Sequence, residues 1–173
     1  MSERGSSRPA KFVLDLCRAR EVRVATAESC TGGLVAAALT AIAGSSDVFE
    51  CGFVTYSNEA KQRLLGVPDA ILLRHGAVSA EAAAAMAKGA LKRSSADFAV
   101  SITGIAGPAG GSKEKPVGLV HFAAARRDGK VLARRRLFGN IGRRRVRERS
   151  VAEALALLAD LVEQTRPAAR RVA

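Results

Sequence analysis

The sequence predicts a three-layer α/β/α domain around a mixed, mostly parallel sheet that ends in an antiparallel hairpin. Three observations predict it. Short runs rich in β-branched and apolar residues ("VRVATA", "CGFVTYS", "DFAVSI") alternate with longer stretches of helical periodicity, the pattern of parallel strands joined by crossover helices. Two later runs, "VGLVHFAAA" and "VLARRRLF", are separated only by Arg126 to Lys130 with its Asp-Gly pair, which reads as a hairpin. A chain of 173 residues suits one such unit with its own core.

Taken in order, Phe12, Val13, Leu16 and Cys17 recur at helical spacing and predict a first helix from Pro9 to Arg20. "VRVATA" follows as a strand, and "GLVAAALTAIAG" as a helix of small apolar residues closed by Gly44. "CGFVTYS" reads as a second, buried strand; Asn58 is the expected cap of the helix "EAKQRLLGV", which Gly66 and Pro68 end. Ser79 caps the alanine-filled helix "AEAAAAMAKGALKRS", while His75 is placed in the turn before "GAVS". "DFAVSI" delivers the long loop "TGIAGPAGGSKEKP", and after the hairpin a last helix runs from Arg145 to Gln164 with Val151, Ala154, Leu155, Leu158 and Leu161 on one side. Residues 1–9 are expected to be a loose terminus, 10–166 the single domain and 167–173 a basic tail.

Composition narrows the class. Apolar residues make up 48% of the chain and charged residues 25%, with a mean hydropathy of +0.07 and no apolar run of membrane-spanning length. The polar start "MSERGSSRPAK" lacks the apolar core of a signal peptide. Cys17, Cys30 and Cys51 are odd in number and have no CxxC spacing, so reduced thiols in a cytoplasmic protein are expected. The net charge of +12 is concentrated: residues 126–149 hold eleven Arg or Lys against Asp128 and Glu148. A basic stretch of this kind serves nucleic acid, an anionic substrate or solubility. The absence of Trp and the single Tyr argue against sequence-independent stacking on single strands.

Ligands of such sheets bind beyond the carboxyl ends of strands. Three loops leave those ends here: Glu28 to Gly33, Tyr56 to Lys61, and Thr103 to Pro116. In the first, "TAESCTGG" sets Ser29, Cys30 and Thr31 before a helix whose opening N–H groups, at Thr31, Gly32 and Gly33, suit an anion or a developing oxyanion. Ala27 and Thr31 stand where the glycines of a G-x-S-x-G elbow would be, so Ser29 is no nucleophile of that class. His75 and His121, the only histidines, are poorly placed for a triad. Lys61, near a helix start where the macrodipole favours the neutral amine, is the better base, and Tyr56 ends the strand that leads to it. Ser57, four residues before Lys61, and Cys30 remain rival nucleophiles. "GPAGGSK" falls short of a P-loop because Ser112 stands where glycine is required and Glu114 follows the lysine. No His, Cys and carboxylate group has metal spacing, and no cofactor is expected.

"TAESCTGG", "AGSSDVFECGFVTYSNEAK", "LGV", "HGAVS", "SITGIAGPAGGSKEKPVG" and "VHFA" together resemble the C-terminal domain of the CinA (competence/damage-inducible) family over roughly residues 10 to 165. The resemblance implies a metal-free α/β/α amidohydrolase that converts nicotinamide mononucleotide and water to nicotinate mononucleotide and ammonia, recycling pyridine nucleotide. It implies Ser29 as nucleophile, Lys61 as base and Tyr56 as an assisting group. Nucleotide contacts are implied at Thr31, Gly32, Gly33, Ser46, Thr103 and Gly104, and a homodimer is implied as the assembly. The family's Gly-Asp-Arg run before the last helix is replaced by "FGNIGRRRVRE", in which Arg143 is the expected phosphate partner and Arg144, Arg145 and Arg147 are the alternatives. A non-enzymatic module that binds nucleic acid through Arg126 to Arg149 is the competing reading.

Overall fold

The computed structural model describes residues 3–165. The elements run α1 (Glu3–Arg18), β1 (Val24–Glu28), α2 (Leu34–Thr40), β2 (Phe49–Val54), α3 (Asn58–Leu65), α4 (Asp69–His75), α5 (Ala80–Lys92), β3 (Phe98–Gly104), β4 (Leu119–Arg126), β5 (Val131–Leu137) and α6 (Arg143–Glu163). The sheet order is β2-β1-β3-β4-β5. β1 pairs in parallel with both β2 and β3; β4 runs antiparallel between β3 and β5. Glu28, Val54 and Ile102 therefore lie side by side, and the loops that follow β1, β2 and β3 leave the sheet at one edge.

Each face of the sheet has its own core. On one, α1, α2 and α6 cover Val24, Phe98, Val100, Ile102 and Phe122, with Val151, Ala154, Leu155, Leu158 and Leu161 of α6 all buried as their spacing predicts. On the other, α3, α4 and α5 cover Ala25, Ala27, Ala99, Ala123 and Ala125. Small side chains on both the strands and α5 let this layer lie close. At Gly89 the approach is closest: a Cβ there would stand 2.0 Å from the Leu65 carbonyl oxygen of α3.

Several elements depart from the sequence reading. α1 starts at Glu3 instead of Pro9, so residues 3–9 belong to a helix; the buried face of Ala10, Val13, Leu14 and Cys17 begins only after the proline, which conceals the upstream turns. The basic tail, 167–173, lies outside the described residues. α4 was absent from the reading, because Pro68 looks like a stop when it in fact precedes a new helix with Asp69 in its first turn. His75 ends that helix. Ser57, not Asn58, caps α3, its hydroxyl accepting from the Ala60 N–H at 3.0 Å. β2 is half exposed, since as an edge strand it has β1 on one side only.

Candidate active site

Beyond the carboxyl ends of β1, β2 and β3 lies a pocket of about 260 Å³, into which all three predicted loops feed side chains. Its lining includes Ser29 and Cys30 from the first loop, Tyr56 and Lys61 from the second, Thr103, Gly104 and Gly107 from the third, and Arg143 from the start of α6. Ala77 and Val78, from the connection between α4 and α5, also line it. Sequence reasoning missed them, since two small apolar residues in a turn carry no chemical signal.

Lys61 decides the character of the pocket. Ser57 starts α3 with its capping hydroxyl, and four residues later Lys61 turns inward, only 1% exposed. Its Nζ donates to the Thr55 carbonyl oxygen at 2.8 Å and lies 3.2 Å from Ser29 Oγ. No carboxylate pairs with it among the described residues, so burial, which penalises the ammonium form, pushes its pKa down from the usual lysine range. An amine of that kind, next to a hydroxyl at a pocket wall, can take the hydroxyl proton. Ser29 itself is held by its N–H, which donates to the Ile102 carbonyl oxygen at 3.0 Å.

The rivals separate cleanly. Ser57 is exposed and engaged as a helix cap. Cys30 lines the pocket, but burial pushes its thiol up to about 11, so it stays protonated at neutral pH. His75 and His121 do not line the pocket.

Other predicted contacts fall differently. Thr103 and Gly104 line the pocket, with the Thr103 hydroxyl donating to the Ala77 carbonyl oxygen at 2.7 Å. Thr31 is buried behind the loop, and Gly32 and Gly33 lie outside the lining. Gly32 N–H donates to the Ser29 carbonyl oxygen at 2.9 Å and Gly33 N–H to Glu28 Oε2 at 3.0 Å, so neither amide is free for a ligand. Within one chain Ser46 is not brought to the pocket: it is exposed in the 3-10 turn Ser45–Asp47 ahead of β2, at the opposite end of the sheet. Tyr56 is 60% exposed at the rim, and no hydrogen bond joins its hydroxyl to Ser29 or Lys61. Arg143 Nη2 instead donates to the Tyr56 hydroxyl at 2.8 Å, and Nη1 to the Gly107 carbonyl oxygen at 3.0 Å. Of the alternatives to Arg143, Arg147 donates to the Thr31 carbonyl oxygen at 2.8 Å, while Arg144 and Arg145 are exposed and outside the lining.

Residues 6–162 match the family model described as the CinA C-terminal domain. The chain belongs to the CinA C-terminal domain family. It is 56% identical over 141 residues to the nicotinamide-nucleotide amidohydrolase PncC of Escherichia coli (strain K12), covering 82% of this chain and 85% of that one. It is 54% identical over 149 residues to a CinA-like protein of Synechococcus sp. (strain RCC307), of whose length it spans only 36%. Among solved structures it is similar to the competence/damage inducible protein CihA from Agrobacterium tumefaciens, with a TM-score of 0.89 and 51% identity over 92% of this chain and 96% of that one.

Part of the basic stretch of this CinA-family chain makes hydrogen bonds within the fold, while Lys130, Arg135, Arg144, Arg145 and Arg149 are exposed. Arg134 and Arg136 on β5 reach Glu153 and Asp160 of α6 at 2.6 to 2.9 Å. Arg126 pairs with Asp128, and Arg127 donates to the carbonyl oxygens of Leu91, Ser94 and Ala96. Arg143 lies at the pocket and Arg147 on the Thr31 carbonyl oxygen, while Arg134 and Arg136 tie β5 to α6 and Arg127 ties the hairpin to the end of α5. No described helix is long and apolar enough to cross a membrane.

Proposed function

We propose that this chain hydrolyses the carboxamide of nicotinamide mononucleotide, releasing ammonia and nicotinate mononucleotide, as a step of pyridine nucleotide recycling. The observation that carries this reading is the buried Lys61 amine 3.2 Å from Ser29 Oγ at the pocket wall. The name of the PncC relative supports the substrate. Neutral Lys61 takes the Ser29 proton as Oγ attacks the amide carbon. Collapse of the tetrahedral adduct breaks the C–N bond, and Lys61 returns the proton to the departing amine, leaving an acyl ester on Ser29. Water then attacks the ester with Lys61 again as base, giving the carboxylate and free Ser29.

Arg143 supplies the charge for the phosphomonoester. Its two donors now rest on neutral acceptors, the Tyr56 hydroxyl and the Gly107 carbonyl, which a dianionic phosphate outcompetes as a hydrogen-bond partner. Tyr56 then has a rim role, orienting Arg143 and presenting a ring face to the cationic pyridinium. The test is ammonia release from nicotinamide mononucleotide by the wild type, Ser29→Ala and Lys61→Ala. Loss of several orders of magnitude in both variants is expected. Near-wild-type turnover in either variant removes the dyad, and an inactive wild type removes the substrate.

A further inference from the structure

Glu28 has no part in the chemistry above, yet it stands next to the nucleophile. It ends β1, is 0% exposed, and no arginine or lysine pairs with it among the described residues. Its partners are three backbone amides: Oε2 accepts from Gly33 at 3.0 Å and Val35 at 3.1 Å, and Oε1 accepts from Ala36 at 2.9 Å. The first amides of a helix have no acceptor within it. Gly33, at the cap position just before α2, has no side chain to cap the helix, and Glu28 reaches across from the strand to do so.

The loop between is thereby tied at several points. Ser29 N–H is held by Ile102, Gly32 N–H by the Ser29 carbonyl, Gly33 N–H by Glu28, and the Thr31 carbonyl by Arg147 from α6.

We propose that Glu28 is a positioning residue for the hydrolysis: by occupying the amino end of α2 it fixes the Ser29–Gly33 loop and with it the place of Ser29 Oγ at the pocket wall, 3.2 Å from Lys61 Nζ. This rests on Ser29 being the nucleophile. A glutamine at this position fits in volume but not in chemistry. Its single carbonyl oxygen can accept from two of the amides, and its NH2 meets the third donor to donor.

The experiment compares the full chain with Glu28→Gln, each at a temperature well below its own Tm. Two rates are read: covalent modification of Ser29 by a small neutral sulfonyl fluoride, followed by intact mass, and ammonia release from nicotinamide mononucleotide. Labelling and kcat are expected to fall together by about 10²-fold with KM nearly unchanged, because misplacement by about 1 Å has that effect on a reacting group. The pH midpoint of labelling is expected to stay in place, since Glu28 does not touch Lys61. Wild-type labelling and kcat in folded Glu28→Gln, with only Tm lowered, would overturn the proposal, as would a change confined to KM. If Glu28→Gln does not fold, Glu28→Asp keeps the charge with a shorter reach and is judged by the same two rates. The labelling arm also separates the two claims: a wild type that is not modified at Ser29 overturns the nucleophile and Glu28 together. A wild type that is modified but releases no ammonia overturns the substrate alone, and the labelling ratio still decides Glu28.

Discussion

Replacing Lys61 by methionine separates its chemistry from its burial. Methionine keeps the unbranched shape, so the 1% exposed site stays filled, while the amine beside Ser29 and Thr55 is lost. As the proposed base, Lys61 contributes about 10²- to 10⁴-fold to turnover, and ammonia release is expected to fall by at least that factor. Stability reports on the same group independently. Burial holds the folded-state pKa of Lys61 below its unfolded value of 10.5, so between those two values the unfolded chain binds more protons than the folded one. Wild-type stability relative to Lys61→Met must therefore rise with pH through that window, by at most about 1.4 kcal/mol per pH unit for one group. In a chain of this size, about 1 kcal/mol moves Tm by roughly 2–4 °C, so the gap between the two melting curves changes by up to about 6 °C per pH unit. Thermal melts of both proteins from pH 7 to pH 10 measure it. Parallel Tm profiles would refute the lowered lysine pKa, and turnover of Lys61→Met within tenfold of wild type would refute the base.

The activity of the wild type is expected to rise with pH and level off above the lowered Lys61 pKa, because only the neutral amine accepts the Ser29 proton; a pH–kcat profile that falls over this range would contradict it. Arg143→Ala is expected to raise KM for nicotinamide mononucleotide by about 10- to 100-fold, the loss of a charge-assisted contact, and to leave turnover of the phosphate-free riboside unchanged; steady-state kinetics on the two substrates decide this. Cys30→Ala is expected to keep activity close to wild type, and iodoacetamide at neutral pH is expected not to inactivate the enzyme, since burial keeps the thiol protonated; rapid inactivation would show that Cys30 is accessible and ionised. Gly89→Ala forces a Cβ to within 2.0 Å of the Leu65 oxygen and is expected to cost about 1–3 kcal/mol, lowering Tm by several degrees in a melt without altering the pH profile of activity.

How much was legible follows from what kind of signal each residue carries. The buried stripe of α6, the hairpin across Asp128-Gly129 and the Ser79 cap all rest on local periodicity or local hydrogen bonding, and such signals survive folding. α4 escaped because one proline signals both an end and a beginning. The candidate dyad was implied by the family resemblance, whereas the residues alone gave only two loops leaving neighbouring strands with Ser29 on one and Lys61 on the other. Lys61 by spacing alone is a surface lysine, and nothing local to α3 states that Ser29, in another loop, will lie 3.2 Å away.

What the sequence by itself determined is the order of strands and helices apart from α4, the family, and the three strand-end loops of the pocket, because these depend on patterns within short windows and on long shared motifs. Tertiary structure alone decided which polar groups meet and which are already taken. It buried Lys61 without a counter-charge, gave Ser57 to a helix cap, turned Arg134 and Arg136 onto Glu153, and set Glu28 against the amino end of α2. The physical reason is that desolvation and hydrogen-bond competition are properties of a site in three dimensions: they shift a pKa or occupy a donor only once distant segments have been packed together.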